Sequence, residues 1–360
     1  PGSCRRLISR RCGSRFWKAI VVSAKSLTRR ATLGVAYARS FLAWRGLDLP
    51  SPLISASFAI TDRCNLRCAY CNTPNLDTRD PSLDDIGLVF DRLYALGARR
   101  IGLTGGEPMV RRDLPEVLAM ARARGFYVTL NSNLTLNERR PGVIDKAALV
   151  FTSLDGGREK HEATRGAGSY DGVLEAIRKI CAAGRPVVAI CVLTENSFDE
   201  AATILELAQR FGFRVHFQPQ CTDTEIVRGR VAESLTAPKL REKWSELLRR
   251  KREGAPIASS IPYLKTLAEL TDFSRTAWHD PEARCVASRA FLYVDPRCHA
   301  YPCAYTRGQV NSVDLLGEDW RSAVGRDVPC TRCTVGPYLE FNLLYQKPIQ
   351  AARSDLDSYV

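Results

Sequence analysis

Six short runs rich in β-branched and aromatic residues alternate with helix-patterned segments between residues 53 and 219, and this rhythm limits the fold more than any other property of the chain. The runs are LISASFAIT (53–61), RRIGLT (99–104), FYVTLN (126–131), LVFTSLD (149–155), PVVAICVLT (186–194) and FRVHFQP (213–219). Between the first two, SLDDIGLVFDRLYALG reads as a helix with Ser82 as N-cap and Gly97 as its stop. Another helix begins near Asp113, and more are expected around 137–147, 171–183 and 198–211. Strands joined by helical crossovers form a parallel sheet with right-handed connections. Periodicity leaves open whether that sheet is flat and doubly wound or closes partway into a barrel. In both, ligands bind at the C-terminal ends of the strands. The unusual residues gather there: CNLRCAYC after the first strand, GGEP after the second, NSN after the third and SLDGG after the fourth.

Cys64, Cys68 and Cys71 form a trio without the even count of a disulfide framework and without a fourth nearby ligand for a closed zinc site. Thirteen cysteines in all, clustered as they are, favour metal in a reducing compartment over secreted disulfides. Thiolate loops suit zinc or iron–sulfur groups. A four-iron cube held by three cysteines keeps one iron free for a non-protein ligand, whereas full ligation by cysteine leaves electron transfer.

CNLRCAYC after a first strand, with GGEP after the second, resembles the radical S-adenosylmethionine superfamily over residues 53 to about 220. The resemblance implies a partial (β/α)6 TIM-type barrel. It also implies a [4Fe-4S] cluster whose free iron is chelated by S-adenosylmethionine, and reductive cleavage of that cofactor to a hydrogen-abstracting 5′-deoxyadenosyl radical. Carried over by residue, Cys64, Cys68 and Cys71 would ligate the cluster. Gly105, Gly106 and Glu107 would form the edge meeting the methionine amino group, with glycine admitting close approach. Tyr70 would lie beside the adenine. Ser132 and Asn133 would lie near the ribose, and Ser153 and Arg165 near the carboxylate or ribose. Thr194 and Asn196 are weaker candidates, and His161 is expected on a helix surface.

A second set follows a helical linker: Cys285, Cys298, Cys303, Cys330 and Cys333. Cysteine, apolar strand, proline turn and Pro-Cys suggest a hairpin bringing Cys285 near Cys303, with the Cys330–Cys333 pair completing four ligands. Spacing alone fits a zinc ribbon or an iron–sulfur site. After the first resemblance, this region resembles the twitch domain, the short form of the SPASM domain, which implies one auxiliary [4Fe-4S] cluster on Cys285, Cys303, Cys330 and Cys333. Cys298 stands where the family usually has glycine, which leaves Cys298 open as an alternate ligand. Gln218, Gln220, Asp223 and Glu225 mark where a proton acceptor would lie.

The net charge of +13 comes mostly from residues 1–47, which hold eleven Lys or Arg and no acid. There Trp17, Ile20, Ala24, Leu27, Ala31, Val35, Ala38 and Leu42 form one apolar helical stripe, with Arg15, Lys18, Lys25, Arg29 and Arg39 largely off it. Such a helix adsorbs to an anionic membrane face or docks its stripe on the main domain. No RNA-binding motif accompanies the charge, so nucleic acid is not an expected partner. The expected organisation is a helical arm (1–50), the barrel (51–235), a helical linker (236–280), the twitch region (281–336) and a C-terminal tail (337–360). The expected setting is cytoplasmic, with peripheral membrane contact through the arm. The expected partners are a reductant such as flavodoxin or ferredoxin and a small-molecule, sugar or lipid-associated substrate. Alternatives are a ribosomal-peptide maturase and a zinc-binding scaffold without catalysis.

Overall fold

The computed structural model describes residues 24–47, 53–76, 78–194, 197–221, 225, 227 and 237–348. All six expected strands form: β1 (Ser55–Ala59), β2 (Arg100–Thr104), β3 (Tyr127–Asn131), β4 (Leu149–Ser153), β5 (Val187–Leu193) and β6 (Arg214–Pro219). They pair in sequence order, each parallel to the next. An order without reversal has no doubly wound switch point, and right-handed crossovers then stack every helix on one face. The architecture is therefore the open, barrel-type sheet.

The helices follow their local signals where those signals are complete. Helix α2 (Leu83–Ala95) starts at Ser82, whose hydroxyl accepts from the Asp85 amide while the Asp85 carboxylate accepts from the Ser82 amide. Helices α3 (Leu114–Ala123), α5 (Ser169–Ala182) and α6 (Ala201–Phe211) continue the series. Phe58 of β1, Phe90 of α2 and Phe126 ahead of β3 interlock at 6.2 and 5.9 Å in the buried layer between sheet and helices. The helix expected over 137–147 is absent: the span holds two single turns, Asn137–Arg139 and Ile144–Lys146. Pro141 and Gly142, the latter at φ +76°, lie between them, and neither residue continues a helix. A short helix, α4 (Arg158–Arg165), follows β4 and carries His161.

The linker region is the pair α7 (Ala237–Arg252) and α8 (Ile261–Glu269), followed by the short strand β7 (Ala277–Trp278). The chain then returns to the main sheet. Strand β8 (Phe291–Val294) pairs parallel with β1, and β9 (His299–Tyr301) and β10 (Val313–Asp314) extend it antiparallel. The second cysteine region thus shares one nine-stranded sheet with the barrel. Strand β11 (Arg332–Cys333) pairs with β7 outside that sheet.

Two expectations about the ends are corrected. Residues expected as a tail include helix α9 (Gly336–Gln346), which buries Leu339, Phe341, Leu343, Leu344 and Tyr345. Helix α1 (Ala24–Trp44) docks, but not by the expected stripe. Leu33, Ala36 and Ser40 are buried, while Val35 is 62% and Leu42 40% exposed. The side chains that decide this are Tyr37, Phe41 and Trp44, which ring Tyr345 of α9 at 5.4, 6.2 and 5.8 Å. Large aromatic area outweighs an alanine-rich stripe. Trp17 and Ile20 lie outside the described residues. Among the described residues no helix is long and apolar enough to cross a membrane.

Candidate functional site

The cysteine loop leaves β1 at Thr61 and is fastened to three strand ends. Its first fastening explains the glycines. The Gly106 amide donates to the Thr61 carbonyl and the Glu107 amide to the Arg63 carbonyl, both at 2.8 Å. A Cβ at Gly105 would lie 2.0 Å from the Thr61 oxygen, and one at Gly106 would lie 2.3 Å from the Arg63 oxygen. Glycine at both positions admits the approach of the chain's own backbone.

Glu107 makes the second fastening. Its side chain is fully buried and accepts from the Met109 amide at 2.9 Å, the Ser132 hydroxyl at 2.8 Å and the Asn133 amide at 2.6 Å. Burial lifts its pKa to about 7 against these three donors. Thus the carboxylate ties the end of β2 to the end of β3. Ser132 also accepts from the Leu134 amide, holding a left-handed turn (φ +59°) that leucine seldom adopts. The Asn133 amide group reaches back to Asn65 at 3.0 Å and to Cys64 Sγ at 3.9 Å.

The third fastening comes from α4. The Arg165 side chain, 7% exposed, donates to Asp155 at 2.6 Å, approaches Cys68 Sγ at 3.9 Å and donates to the Tyr70 hydroxyl. Asp155 also accepts from the Val192 amide of β5 at 3.1 Å. Burial raises the Cys68 thiol pKa, and the Arg165 charge opposes that rise. Cys64 is pushed up to about 11, again chiefly by burial, with Cys68 and Cys71 close enough to add to it. Ser153 closes β4 half-buried. The expectation for His161 fails: it is 1% exposed, accepts from the Asp155 amide at 3.3 Å and packs on Tyr170. Burial lowers its pKa to about 4.

Further round the mouth, Thr194 is buried in a turn with Ser197, and Asn196 lies outside the described residues. Gln218 packs against Gly336, where a Cβ would meet its Oε1 at 2.6 Å. Gln220 sits half-buried just past β6. Glu225 stands by Arg307 at 3.5 Å, and Asp223 is outside the described residues.

The second cysteine set converges. Cys285, Cys303, Cys330 and Cys333 line one small cavity with apolar walls that include Phe291, Tyr305 and Tyr338. Cys298 does not: it turns the β8–β9 hairpin at φ +65° and is buried in the main core. That left-handed geometry, which glycine adopts more readily, sets Cys298 apart from the four-thiol cavity. Burial pushes Cys303 up to about 12 and Cys330 up to about 11. Among the described residues no three His, Cys, Asp or Glu side chains draw close enough to grip one ion.

Thiols walled off from water ionise only when a cation compensates, and iron–sulfur groups bind thiolates. Four thiols lining one small apolar cavity, Cys303 buried and the other three half-buried, fit a cube ligated at every corner. The half-buried trio of Cys64, Cys68 and Cys71, beside a mouth lined with polar groups, fits one ligated at three corners.

The singly wound six-strand sheet, with a three-cysteine loop after β1, has the architecture of a partial barrel. Residues 58–208 match the Radical SAM superfamily model. That superfamily uses a [4Fe-4S] cluster and S-adenosylmethionine. The chain is 30% identical over 171 residues to a probable GTP 3′,8-cyclase of Metallosphaera sedula, covering 45% of this chain and 53% of that protein. It is 30% identical over 176 residues to the PqqA peptide cyclase of Gluconobacter oxydans, covering 46% and 49%. The chain thus spans about half the length of the curated relatives it matches. Among solved structures, Streptococcus suis SuiB superposes with a TM-score of 0.63 at 13% identity, over 81% of this chain and 70% of that one. The anSMEcpe enzyme with bound AdoMet and Cp18Cys peptide gives 0.56 at 19%, over 71% and 74%.

Sequence reasoning does not find Asp62, Asn65, Thr135, Tyr293 or Arg307: Asn65, inside CNLRC, donates to the Thr135 hydroxyl at 2.8 Å, and Arg307 donates to Asp62, two residues before Cys64, and to Tyr293 of β8.

Proposed function

We propose that this chain is a two-cluster radical S-adenosylmethionine enzyme. The observation that carries the reading is the convergence of four thiols on one small apolar cavity, in a region that shares its sheet with the three-cysteine loop at the barrel mouth. When bound, the cluster and S-adenosylmethionine would supply one-electron chemistry that removes a hydrogen atom from the substrate. Cys64, Cys68 and Cys71 would hold that cluster. The backbone edge at Gly105–Glu107, together with Tyr70, Asn133, Ser153 and Arg165, would orient the cofactor. Glu107 and Ser132 act one step back, by holding that edge in place. Cys285, Cys303, Cys330 and Cys333 would hold the auxiliary cluster.

The substrate proposed is a small molecule or lipid-associated compound, and the electron donor a flavodoxin- or ferredoxin-like protein. Peptide maturation stands beside it, since one relative of equal identity is named a PqqA peptide cyclase. Membrane contact rests on the exposed face of α1, where Val35 and Leu42 point away from the docked side. Liposome flotation that is unchanged by Val35→Asp with Leu42→Asp removes it.

The deciding experiment is anaerobic reconstitution. The parent should take up about eight irons per chain and Cys330→Ala/Cys333→Ala about four. With dithionite, methionine and 5′-deoxyadenosine should form, and Cys64→Ala should abolish both. Colourless protein carrying zinc would refute the reading. Deuterium transfer from candidate compounds into deoxyadenosine then separates the substrate classes.

A further inference from the structure

A buried ion pair joins the two cysteine loops. Asp62 lies two residues before Cys64, and Arg307 lies four after Cys303. Both terminal nitrogens of Arg307 donate to the Asp62 carboxylate, at 3.2 and 2.9 Å, and both side chains are 1% exposed. The pair has further anchors. Thr78 donates to Asp62, and the Tyr293 hydroxyl of β8 accepts from Arg307 at 3.4 Å. Glu225 stands 3.5 Å from Arg307 Nε, and its backbone oxygen accepts from the Asn72 side chain at 2.9 Å, beside Cys71. Cys71 itself forms an antiparallel bridge with Val227. Three distant segments therefore meet on one guanidinium: the first cysteine loop, the stretch after β6 and the second cysteine loop.

Packing alone does not explain such a pair. Desolvating two charges consumes most of their mutual attraction, and apolar residues of similar volume serve a core as well or better. A forked arginine–carboxylate contact adds direction, because two parallel hydrogen bonds fix orientation as well as distance. We propose that Asp62 and Arg307 are positioning residues that hold the Cys64–Cys71 loop in register with the Cys303 loop, so that filling the second cysteine set alters how the first site holds S-adenosylmethionine. This coupling rests on the two-cluster reading above.

The test has two arms. In the iron-free full chain, hydrogen–deuterium exchange is compared between the parent, Arg307→Lys and the apolar pair Asp62→Leu/Arg307→Met. Both variants should raise exchange at least fivefold over residues 61–72 and 303–308 together while α3 and α5 stay as they were. A change confined to 303–308 overturns the proposal. In reconstituted protein, Cys330→Ala/Cys333→Ala should shift the electron paramagnetic resonance spectrum of the remaining cluster and weaken S-adenosylmethionine binding at least fivefold. In the apolar-pair background the same cysteine change should add nothing, and an equal effect in both backgrounds overturns the coupling. A chain that takes up no iron ends the two-cluster reading, and the exchange arm still decides whether the pair sets the register.

Discussion

Glu340 accepts a hydrogen bond from the Ser260 amide at 2.8 Å and is 6% exposed. Burial raises its pKa from 4.5 to about 7, the Ser260 contacts opposing. A carboxyl raised in the folded state contributes stability that is fully present below 4.5 and is lost as pH rises through 7. Glu340→Gln keeps the acceptor and drops the charge. The variant's unfolding free energy should therefore gain on the parent's between pH 5 and pH 8 by on the order of 2 kcal/mol, read by urea denaturation at each pH. An unchanging difference would contradict this. Among the glycines, Gly166 and Gly105 separate backbone strain from crowding. Gly166 has φ +107° and open space around it, so Gly166→Ala should cost about 1–3 kcal/mol from strain alone. Gly105→Ala adds a 2.0 Å collision with the Thr61 carbonyl and should cost clearly more by urea denaturation.

At the scale of elements, the docking of α1 on α9 rests on an aromatic group and two hydroxyl contacts. Tyr37 donates to the Leu344 carbonyl and Tyr345 to Ser40, each at 2.8 Å. Tyr345→Ala removes the ring that three α1 aromatics surround and should cost about 3–5 kcal/mol. Leu42→Ala, on the exposed face, should stay within about 0.5 kcal/mol. Equal midpoints for the two variants in denaturant would show that α1 does not dock by this face. The legibility of each element followed the locality of its signal. Helix α2 could be read to its cap because Ser82 and Asp85 lie three residues apart. The stretch 137–147 misled because its helical pattern is interrupted by Pro141 and Gly142.

For the whole molecule, the continuity of β8 with β1 matters most. The second cysteine region adds strands to the barrel sheet, so both share one hydrogen-bonded core. Calorimetry of the iron-free chain should show one transition that includes helix α9, and an early separate loss of the region after residue 277 would contradict it. At this scale the candidate site was only half legible. Cys64, Cys68, Cys71 and the GGEP turn announced themselves by spacing. The inward turn of Glu107, the burial of His161 and the exclusion of Cys298 from the four-thiol cavity did not.

Short-range properties could be read from the chain by itself: strand runs rich in β-branched and aromatic residues, capped helices, and closely spaced cysteines. Each depends on residues within a turn or two of one another, and backbone sterics settle it locally. Only the folded molecule decided which face of α1 is hidden, why Gly105 and Gly106 tolerate no side chain, and that Asp62 meets Arg307. Those outcomes depend on which surfaces compete for the same buried volume, and that competition exists only after distant strands have paired.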